Sequence, residues 1–333
     1  MSLVSLGGVA PAVQLRPTAR RLVIVTNGRA AVLPERISVK LGEAYEITRT
    51  VAPNELGRQQ DLIAELDPDR LRSERIWGVI LSSGSQDMIS VALLLRLKMD
   101  GVRVLTEARF WEEEASHIDP DSPDTSWIFS GRGFRYGPLA NFGRALFDIV
   151  LAMALLIVAL PLMLVVALLI KLDSAGPVLY RQERVGLHGK AFTLLKFRSM
   201  RKDAEAPGRP VWAEIADPRI TRMGQFIRYT RIDELPQLLN VLRGEMSLIG
   251  PRPERPYFVE KLASAIPLYR VRHYVKPGIT GWAQVNASYG ASIEDALEKL
   301  RYDLYYIKNR SFILDLLILW RTLRVVVFRQ GAR

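Results

Sequence analysis

The stretch Ile149–Ile170, IVLAMALLIVALPLMLVVALLI, constrains this chain more than any other feature: 22 residues without a charged or polar side chain. An apolar run of that length is long enough for a transmembrane helix. It lies mid-chain, behind a polar region, and so does not read as a signal peptide. Pro161 sits near its centre. Proline lacks the backbone N–H and clashes with the preceding turn, so a helix kinks there. The residues before it make a half-helix of roughly 18 Å, well short of a hydrocarbon core of ~30 Å. Two topologies follow. One is a kinked helix that spans the bilayer, which proline permits in membranes. The other is a re-entrant hairpin that enters and leaves by the same face. Arg144 flanks one end, and Lys171, Arg181 and Arg184 flank the other. That near-symmetry of positive charge favours the hairpin, with both ends on the cytoplasmic side.

Charge divides the 333 residues unevenly. Residues 1–140 hold 17 basic and 18 acidic side chains, whereas residues 141–333 hold 29 and 17. The net charge of +11 therefore belongs to the second part, which is expected to meet an anionic partner. Nucleic acid, phospholipid and phosphorylated substrates all qualify. With no cysteine, disulfides, thiolate metal sites and thiol nucleophiles are excluded, and with three histidines (His117, His188, His273) a His-rich metal site is not expected.

Residues 1–20 read as a flexible N-terminus. RLVIVTNG (21–28), YEITRTVA (45–52), IWGVILSSG (76–84) and VRVLTE (102–107) are β-branched runs, and the last two flank a helical pattern over 87–99. Alternation of strand and helix predicts a small parallel α/β module over 21–110. Gly28 ends the first run, but no G-x-G-x-x-G follows, so a dinucleotide site is poorly supported. Residues 111–140 are acidic and then Gly-rich, and read as a linker. The apolar hairpin occupies 141–172, and residues 173–333 look mostly helical, without a clean run of strands. The last apolar stretch, 311–328, is broken by Asp315, Arg321 and Arg324. It suits either a helix in the membrane interface or a buried helix of the globular part.

Chemistry concentrates in Arg231-Ile-Asp233-Glu234-Leu-Pro236-Gln237. Pro236 suits the first turn of a helix, which places Asp233 and Glu234 at its N-terminus. Acidic residues there are ordinary caps. Beside Arg228 and Arg231 they also suit a site in which one carboxylate is a nucleophile and both hold a magnesium ion. In Gly250-Pro251-Arg252-Pro253-Glu254-Arg255-Pro256, prolines on both sides fix the backbone around Arg252, which favours bidentate phosphate binding. Lys196 and Arg198 lie in KFRSM. Lys276, Gly278 and Trp282 lie in KPGITGW, a Gly-rich turn whose backbone is able to approach a nucleotide closely.

These blocks occur in a fixed series: the proline-interrupted apolar run, GPVLYRQERVG, KFRSM, DPRITRMGQFIR, RIDELPQLLNVLRGEMSLIGPRPERP and KPGITGWAQVN. From Phe134 to Arg333 the chain resembles the bacterial sugar transferases, the monotopic polyprenyl-phosphate phosphoglycosyl transferases. Its ending, from YGASIEDALEKLRYDLYYIKN to FRQGAR, is similar to the exopolysaccharide- and exosortase-associated subgroup.

The resemblance implies an α/β N-terminal Rossmann-like module plus a mostly α-helical, membrane-associated catalytic domain with a proline-broken re-entrant hairpin at Pro161. It implies transfer of a sugar-1-phosphate from a UDP-sugar to polyprenyl (undecaprenyl) phosphate, with UMP released. Asp233 would be the nucleophile, forming an aspartyl phospho-sugar, and Glu234 would help position Mg²⁺ or the acceptor. Arg228 and Arg252 match phosphate-contacting arginines, and Lys196, Arg198, Arg255, Lys276, Gly278 and Trp282 fall in the matching blocks. The implied location is the cytoplasmic face of the bacterial inner membrane, among anionic lipids. Downstream glycosyltransferases are implied partners, and the module suits either dimerisation, with a second copy as partner, or regulation. Larger members begin with four membrane helices ahead of the module, whereas these 333 residues start almost directly with it. The competing expectation is a non-catalytic binder of anionic lipid or nucleic acid. It is the weaker one, because the cations are interleaved with the motifs and form no stripe or tail. The identity of the sugar is not encoded in any motif; Asn286–Gly290 is a candidate lining for its pocket.

Overall fold

The computed structural model describes residues 19–27, 32–53, 59–122, 126–129, 131, 133–134, 137–201, 217–287, 290 and 292–328. The chain divides into two compact units, residues 1–130 and 131–333.

The first unit alternates strand and helix: β1 (Arg20–Val25), α1 (Val32–Leu41), β2 (Tyr45–Val51), α2 (Gln59–Glu65), α3 (Pro68–Ser73), β3 (Ile76–Leu81), α4 (Val91–Met99), β4 (Val104–Thr106) and α5 (Glu107–Glu114), followed by the single turn α6 (Ser126–Phe129). The strands form one parallel sheet in the order β2-β1-β3-β4. Side chains alternate across a strand, and this sheet uses both faces. Val23, Val25, Val79 and Leu81 pack with Leu71, Leu93 and Leu97 on one side. Leu22, Ile24 and Ile80 pack with Leu33, Ile37, Phe110 and Trp111 on the other. Strands covered on both faces read as continuous apolar runs, which is why RLVIVT carries no alternation. Local caps agree with this layout: Asp67, Ser90 and Thr106 each accept from the backbone N–H three residues on.

The first residues of the stretch read as a linker are packed. Trp111 is 1% exposed inside α5, His117 stacks on it with ring centroids 5.1 Å apart, and Arg36 pairs with Asp119 at 2.7 Å. The chain therefore stays packed on the module through about residue 119. Gly28 lies outside the described residues.

The second unit is built on α7 (Pro138–Asp173), a 36-residue helix with Pro161 inside it. The helix continues through Pro161, so the two arms expected of a hairpin do not separate into two elements; the proline withholds one hydrogen bond from the Ile157 carbonyl. Along its most apolar 18-residue window 11% is buried, too little for a core helix. What α7 does bury is one stripe running from Asp148 to Ile170, with Leu151, Leu156, Met163 and Ala167 partly buried along it. Ala152 joins Leu194, Leu238 and Ile318, while Val166 and Ile170 join Phe197 and Ile227.

Around α7 fold β5 (Leu179–Val185), β6 (Ala191–Phe197), α8 (Arg222–Tyr229), α9 (Gln237–Leu242), β7 (Ser247–Ile249), α10 (Pro256–Ala265), β8 (Gly278–Thr280), α11 (Trp282–Asn286), α12 (Ile293–Asn309) and α13 (Phe312–Phe328). This unit is mostly helical, as expected. It also holds two small sheets that the sequence does not announce: the antiparallel hairpin β5–β6, with Leu179 opposite Phe197, and the parallel pair β7–β8, with Ser247 opposite Gly278. The closing stretch 311–328 divides its faces. Leu314 and Ile318 enter the core, while Phe312, Ile313, Leu316, Trp320 and Leu323 stay exposed. Asp315, one of its interrupting charges, is buried in a 2.8 Å ion pair with Arg144 of α7.

Candidate active site

A sharp reversal delivers the acidic pair. Thr230 caps α8, Arg231 takes a left-handed conformation at φ 60°, and Ile232–Glu234 form a 3-10 turn that runs on through Leu235 and Pro236 into α9. A left-handed non-glycine residue costs on the order of 1 kcal/mol or more. Here that turn places both carboxylates within the protein, with Asp233 8% exposed.

The two carboxylates then diverge. Glu234 Oε1 lies 2.8 Å from Arg252, 3.6 Å from Lys196 Nζ and 3.9 Å from Arg231. Burial opposes its ionisation, but Arg252 and Lys196 outweigh burial and hold Glu234 far below the usual carboxylate range. Asp233 makes no ion pair within 4 Å among the described residues. Burial and the neighbouring Glu234 charge push it up, against the opposing pull of Lys196, Arg252 and Arg228. Two adjacent carboxylates whose environments drive them apart are suited to different tasks. Glu234 is a fixed anion that organises cations, and Asp233 carries no such ion pair among the described residues.

The cations come from separate elements. Lys196 projects from the end of β6; burial lowers its ammonium to about 8, although Glu234 pulls the other way. Arg252 stands on a loop whose rigidity exceeds what its prolines supply. Four successive carbonyls of that loop each accept a hydrogen bond: Pro251 from Gly278 N–H at 3.0 Å, Arg252 from Arg272 at 3.0 Å, Pro253 from Arg184 at 2.9 Å and Glu254 from Val185 N–H at 2.9 Å. Arg272 is itself fixed by a buried ion pair with Asp303 at 2.9 Å and by the Tyr269 hydroxyl at 2.7 Å. Burial pushes Asp303 up to about 6, against the pull of Arg272. Arg184, Arg272 and Asp303 were not among the expected site residues. Nothing in their local spacing announces them, because they act on a loop distant in sequence.

The other expected residues lie elsewhere. The Arg198 guanidinium donates to the carbonyls of Ser174 at 2.6 Å and Ala175 at 3.0 Å and to the Ser174 hydroxyl at 2.9 Å, so it caps the C-terminus of α7. Gly176, at φ 128°, leaves the space it occupies; a Cβ there would collide with the guanidinium. Lys276 lies beside Gly244 and faces Asp148 of α7 electrostatically. Arg255 is at the N-cap of α10, 6.0 Å from the Phe258 ring centre. Gly278 serves the chain itself: a Cβ on it would strike the Gly250 backbone, so the glycine permits β7 and β8 to approach and sets the Arg252 loop. Trp282 is a core residue, stacked on Tyr305 at 5.9 Å and covered by Arg321 at 4.6 Å. Asn286 accepts from Arg321 at 2.5 Å and donates to the Trp282 carbonyl, so its amide turns inward. Ser288 and Tyr289 lie outside the described residues. Asp233, Glu234, Lys196, Arg252 and Arg228 are thus the expected residues that come together.

No group of three or more acidic, His or Cys side chains suited to a metal occurs among the described residues. The donor set still fits a magnesium ion, which typically takes one or two carboxylates and completes its shell with substrate phosphate and water. Asp233 and Glu234 are the pair able to hold it.

Residues 139–329 match the family model described as bacterial sugar transferase. A UDP-N-acetylgalactosamine-undecaprenyl-phosphate N-acetylgalactosaminephosphotransferase of Aeromonas hydrophila is 48% identical over 196 residues, 59% of this chain and 46% of that protein. An undecaprenyl-phosphate glucose phosphotransferase of Komagataeibacter xylinus is 34% identical over 330 residues, 95% of this chain and 61% of its own length, so that similarity runs through the N-terminal module. A UDP-glucose:undecaprenyl-phosphate glucose-1-phosphate transferase of Escherichia coli is 44% identical over 192 residues, 56% of this chain and 41% of that protein. The chain spans about half the length of these relatives. The match takes in α7, the acidic pair and every cation gathered around it, and on that extent the chain belongs to the bacterial sugar transferase family.

Proposed function

We propose that the protein transfers a sugar-1-phosphate from a UDP-sugar to a polyprenyl phosphate, with undecaprenyl phosphate the acceptor named for its relatives. One observation carries this reading: Glu234 is committed to cations while its neighbour Asp233 is not. A transferred phosphoryl group needs positioning and charge neutralisation more than elaborate acid–base chemistry. Lys196 and Arg252 supply positive charge beside the nucleophile, and the four clamped carbonyls keep Arg252 from following its ligand.

In the proposed reaction a carboxylate oxygen of Asp233 attacks the β-phosphorus of the UDP-sugar. A phosphorus–oxygen bond to Asp233 forms as the bond to the bridging oxygen breaks, and UMP leaves with that oxygen and its electron pair. A phosphate oxygen of the lipid then attacks the same phosphorus and releases Asp233. Magnesium, held by Asp233 and Glu234, would neutralise the diphosphate. The product would begin the assembly of an exopolysaccharide for downstream glycosyltransferases.

The acceptor is confined to a membrane, and α7 is the element suited to reach it. We favour the re-entrant topology on the cytoplasmic face of the inner membrane. Toward the start of α7 Asp148 accepts from Leu248 N–H at 3.1 Å, and at its end Ile170 packs on Phe197 and Ile227. Along a straight helix those positions are about 33 Å apart. A spanning helix would carry them to opposite sides of the bilayer, yet both contact one globular unit. Ile157, Val158, Leu164 and Val165, between them, remain exposed for lipid. The exposed face of α13, with Trp320, suits the anionic leaflet. The module is left with a role in dimerisation or regulation.

Membrane-embedded protein incubated with a panel of UDP-sugars, polyprenyl phosphate and Mg²⁺ tests the reading. UMP release and a labelled lipid are expected, and both are expected to vanish in Asp233→Asn. Lipid binding without turnover of any UDP-sugar would instead support a non-catalytic lipid binder.

A further inference from the structure

Gln237 follows the acidic pair by one helical turn, and nothing said so far uses it. Its residue is 2% exposed, and its side-chain Nε2 has no hydrogen-bond partner among the described residues. A primary amide carries two N–H donors, and burying such a donor unpaired is costly. Most buried polar groups in native proteins are paired, so one left open beside a reactive centre calls for a partner that arrives later.

The backbone says where that partner would be. From Ile232 the chain is helical through Leu242: a 3-10 turn to Glu234, right-handed helical angles at Leu235 and Pro236, then α9. In an α-helix, residue i+4 lies about 40° around the axis from residue i. In a 3-10 helix, residue i+3 eclipses residue i. Either way Gln237 stands one turn along from the pair: α-helical geometry sets it between Asp233 and Glu234 about the axis, and 3-10 geometry sets it directly over Glu234. The oxygens of Glu234 already face Arg252 and Lys196. The unpaired Nε2 of Gln237, one turn from the pair, is therefore left for a group that docks beside Asp233.

We infer that Gln237 is a catalytic residue, donating an Nε2 hydrogen to a non-bridging oxygen of the phosphoryl group that Asp233 attacks. The inference rests on the proposed transfer through Asp233. As the bond to Asp233 forms and the bond to the UMP oxygen breaks, charge redistributes over those non-bridging oxygens. A fixed neutral donor in a water-poor site stabilises that charge without reorganising. Asp233 and Glu234 remain ligands for the metal, and Gln237 adds a donor that a metal cannot replace from the protein side.

The test uses the full-length protein in membranes and two near-isosteric substitutions. Gln237→Met removes the amide and keeps the volume. Gln237→Glu keeps an acceptor and removes both N–H groups. The expected result for both is a fall in kcat of at least about tenfold with KM for the UDP-sugar little changed. Because Gln237→Met deletes an unpaired buried donor, its melting temperature is expected to stay or rise while turnover falls. Either variant turning over within twofold of the parent would overturn the inference. So would a melting temperature of Gln237→Met that drops together with its activity, which would mark a structural amide. Asp233→Asn is measured alongside. An inactive Asp233→Asn with an active Gln237→Met refutes the role of Gln237 alone, whereas an active Asp233→Asn refutes the transfer through Asp233 and this inference with it.

Discussion

Lys196 makes the chemistry of the site dependent on pH in a direction that the structure fixes. Its ammonium lies 3.6 Å from Glu234 at the end of β6, and burial lowers it to about 8. Arg252 and Arg184 depress it further, while Glu234 and Asp233 raise it. Above that pH the lysine loses the charge that would neutralise a bound diphosphate. Each further pH unit leaves about tenfold less ammonium in the free protein, so log kcat/KM is expected to fall with a slope approaching −1 beyond pH 8. Stability responds oppositely. The folded value lies below the ordinary lysine value of about 10.5, so a folding penalty on the order of 3 kcal/mol is fully present below about pH 8. It disappears as pH rises from there toward the unfolded value. Between pH 8 and 10 the Lys196 contribution to stability is therefore expected to rise while kcat/KM falls. Arginine stays protonated throughout this range, so Lys196→Arg is expected to lose the alkaline limb, even with a lower maximal rate. The assay is UMP release at UDP-sugar well below KM from pH 6 to 10, with urea denaturation of the same samples. An alkaline limb that persists unchanged in Lys196→Arg would refute the assignment of that limb to Lys196.

Three further perturbations address the scaffold. Arg198→Ala removes the cap on α7 and is expected to cost about 1–3 kcal/mol in urea denaturation, with turnover per folded molecule reduced less than in Arg252→Ala; equal losses would put Arg198 in the site. Asp303→Asn leaves the buried Arg272 without its anion, an expected loss of about 3–5 kcal/mol, read as a shift of the urea midpoint; an unchanged midpoint would refute the buried pair as a strut for the Arg252 loop. The chain has no cysteine, so Ala140→Cys and Arg181→Cys label without background; an impermeant maleimide is expected to reach both from the cytoplasmic side, and labelling from opposite sides would refute the hairpin.

What could be read in the sequence was what short-range pattern encodes. The apolar run at 149–170, the β-branched runs of the parallel sheet and the Asp233-Glu234 pair ahead of a proline each announce themselves within a few residues. The hairpin β5–β6 did not. Tyr180, Arg181 and Glu183 are exposed on β5, so the strand lacks the alternation that one buried face imposes, and cross-strand pairing holds it in place. KPGITGW is a related case. Its glycines and Trp282 have the look of a ligand loop, but Gly278 makes room for another stretch of backbone and Trp282 fills the core. Arg198 stands two residues from Lys196 yet is drawn to the end of α7, because the helix terminus leaves carbonyls that need donors. The four-carbonyl clamp on the Arg252 loop joins segments from Arg184 to Asp303. Spacing along the chain carries no trace of it.

In the proposed reaction a carboxylate oxygen of Asp233 takes the phospho-sugar. The most direct measurement is acid quenching of the membrane-embedded protein seconds after a UDP-sugar is added without acceptor lipid, followed by mass spectrometry of the peptide that contains Asp233. The account predicts a sugar-phosphate adduct on Asp233, formed one-for-one with UMP and lost when polyprenyl phosphate is supplied. UMP released in a full enzyme equivalent with Asp233 unmodified would contradict it.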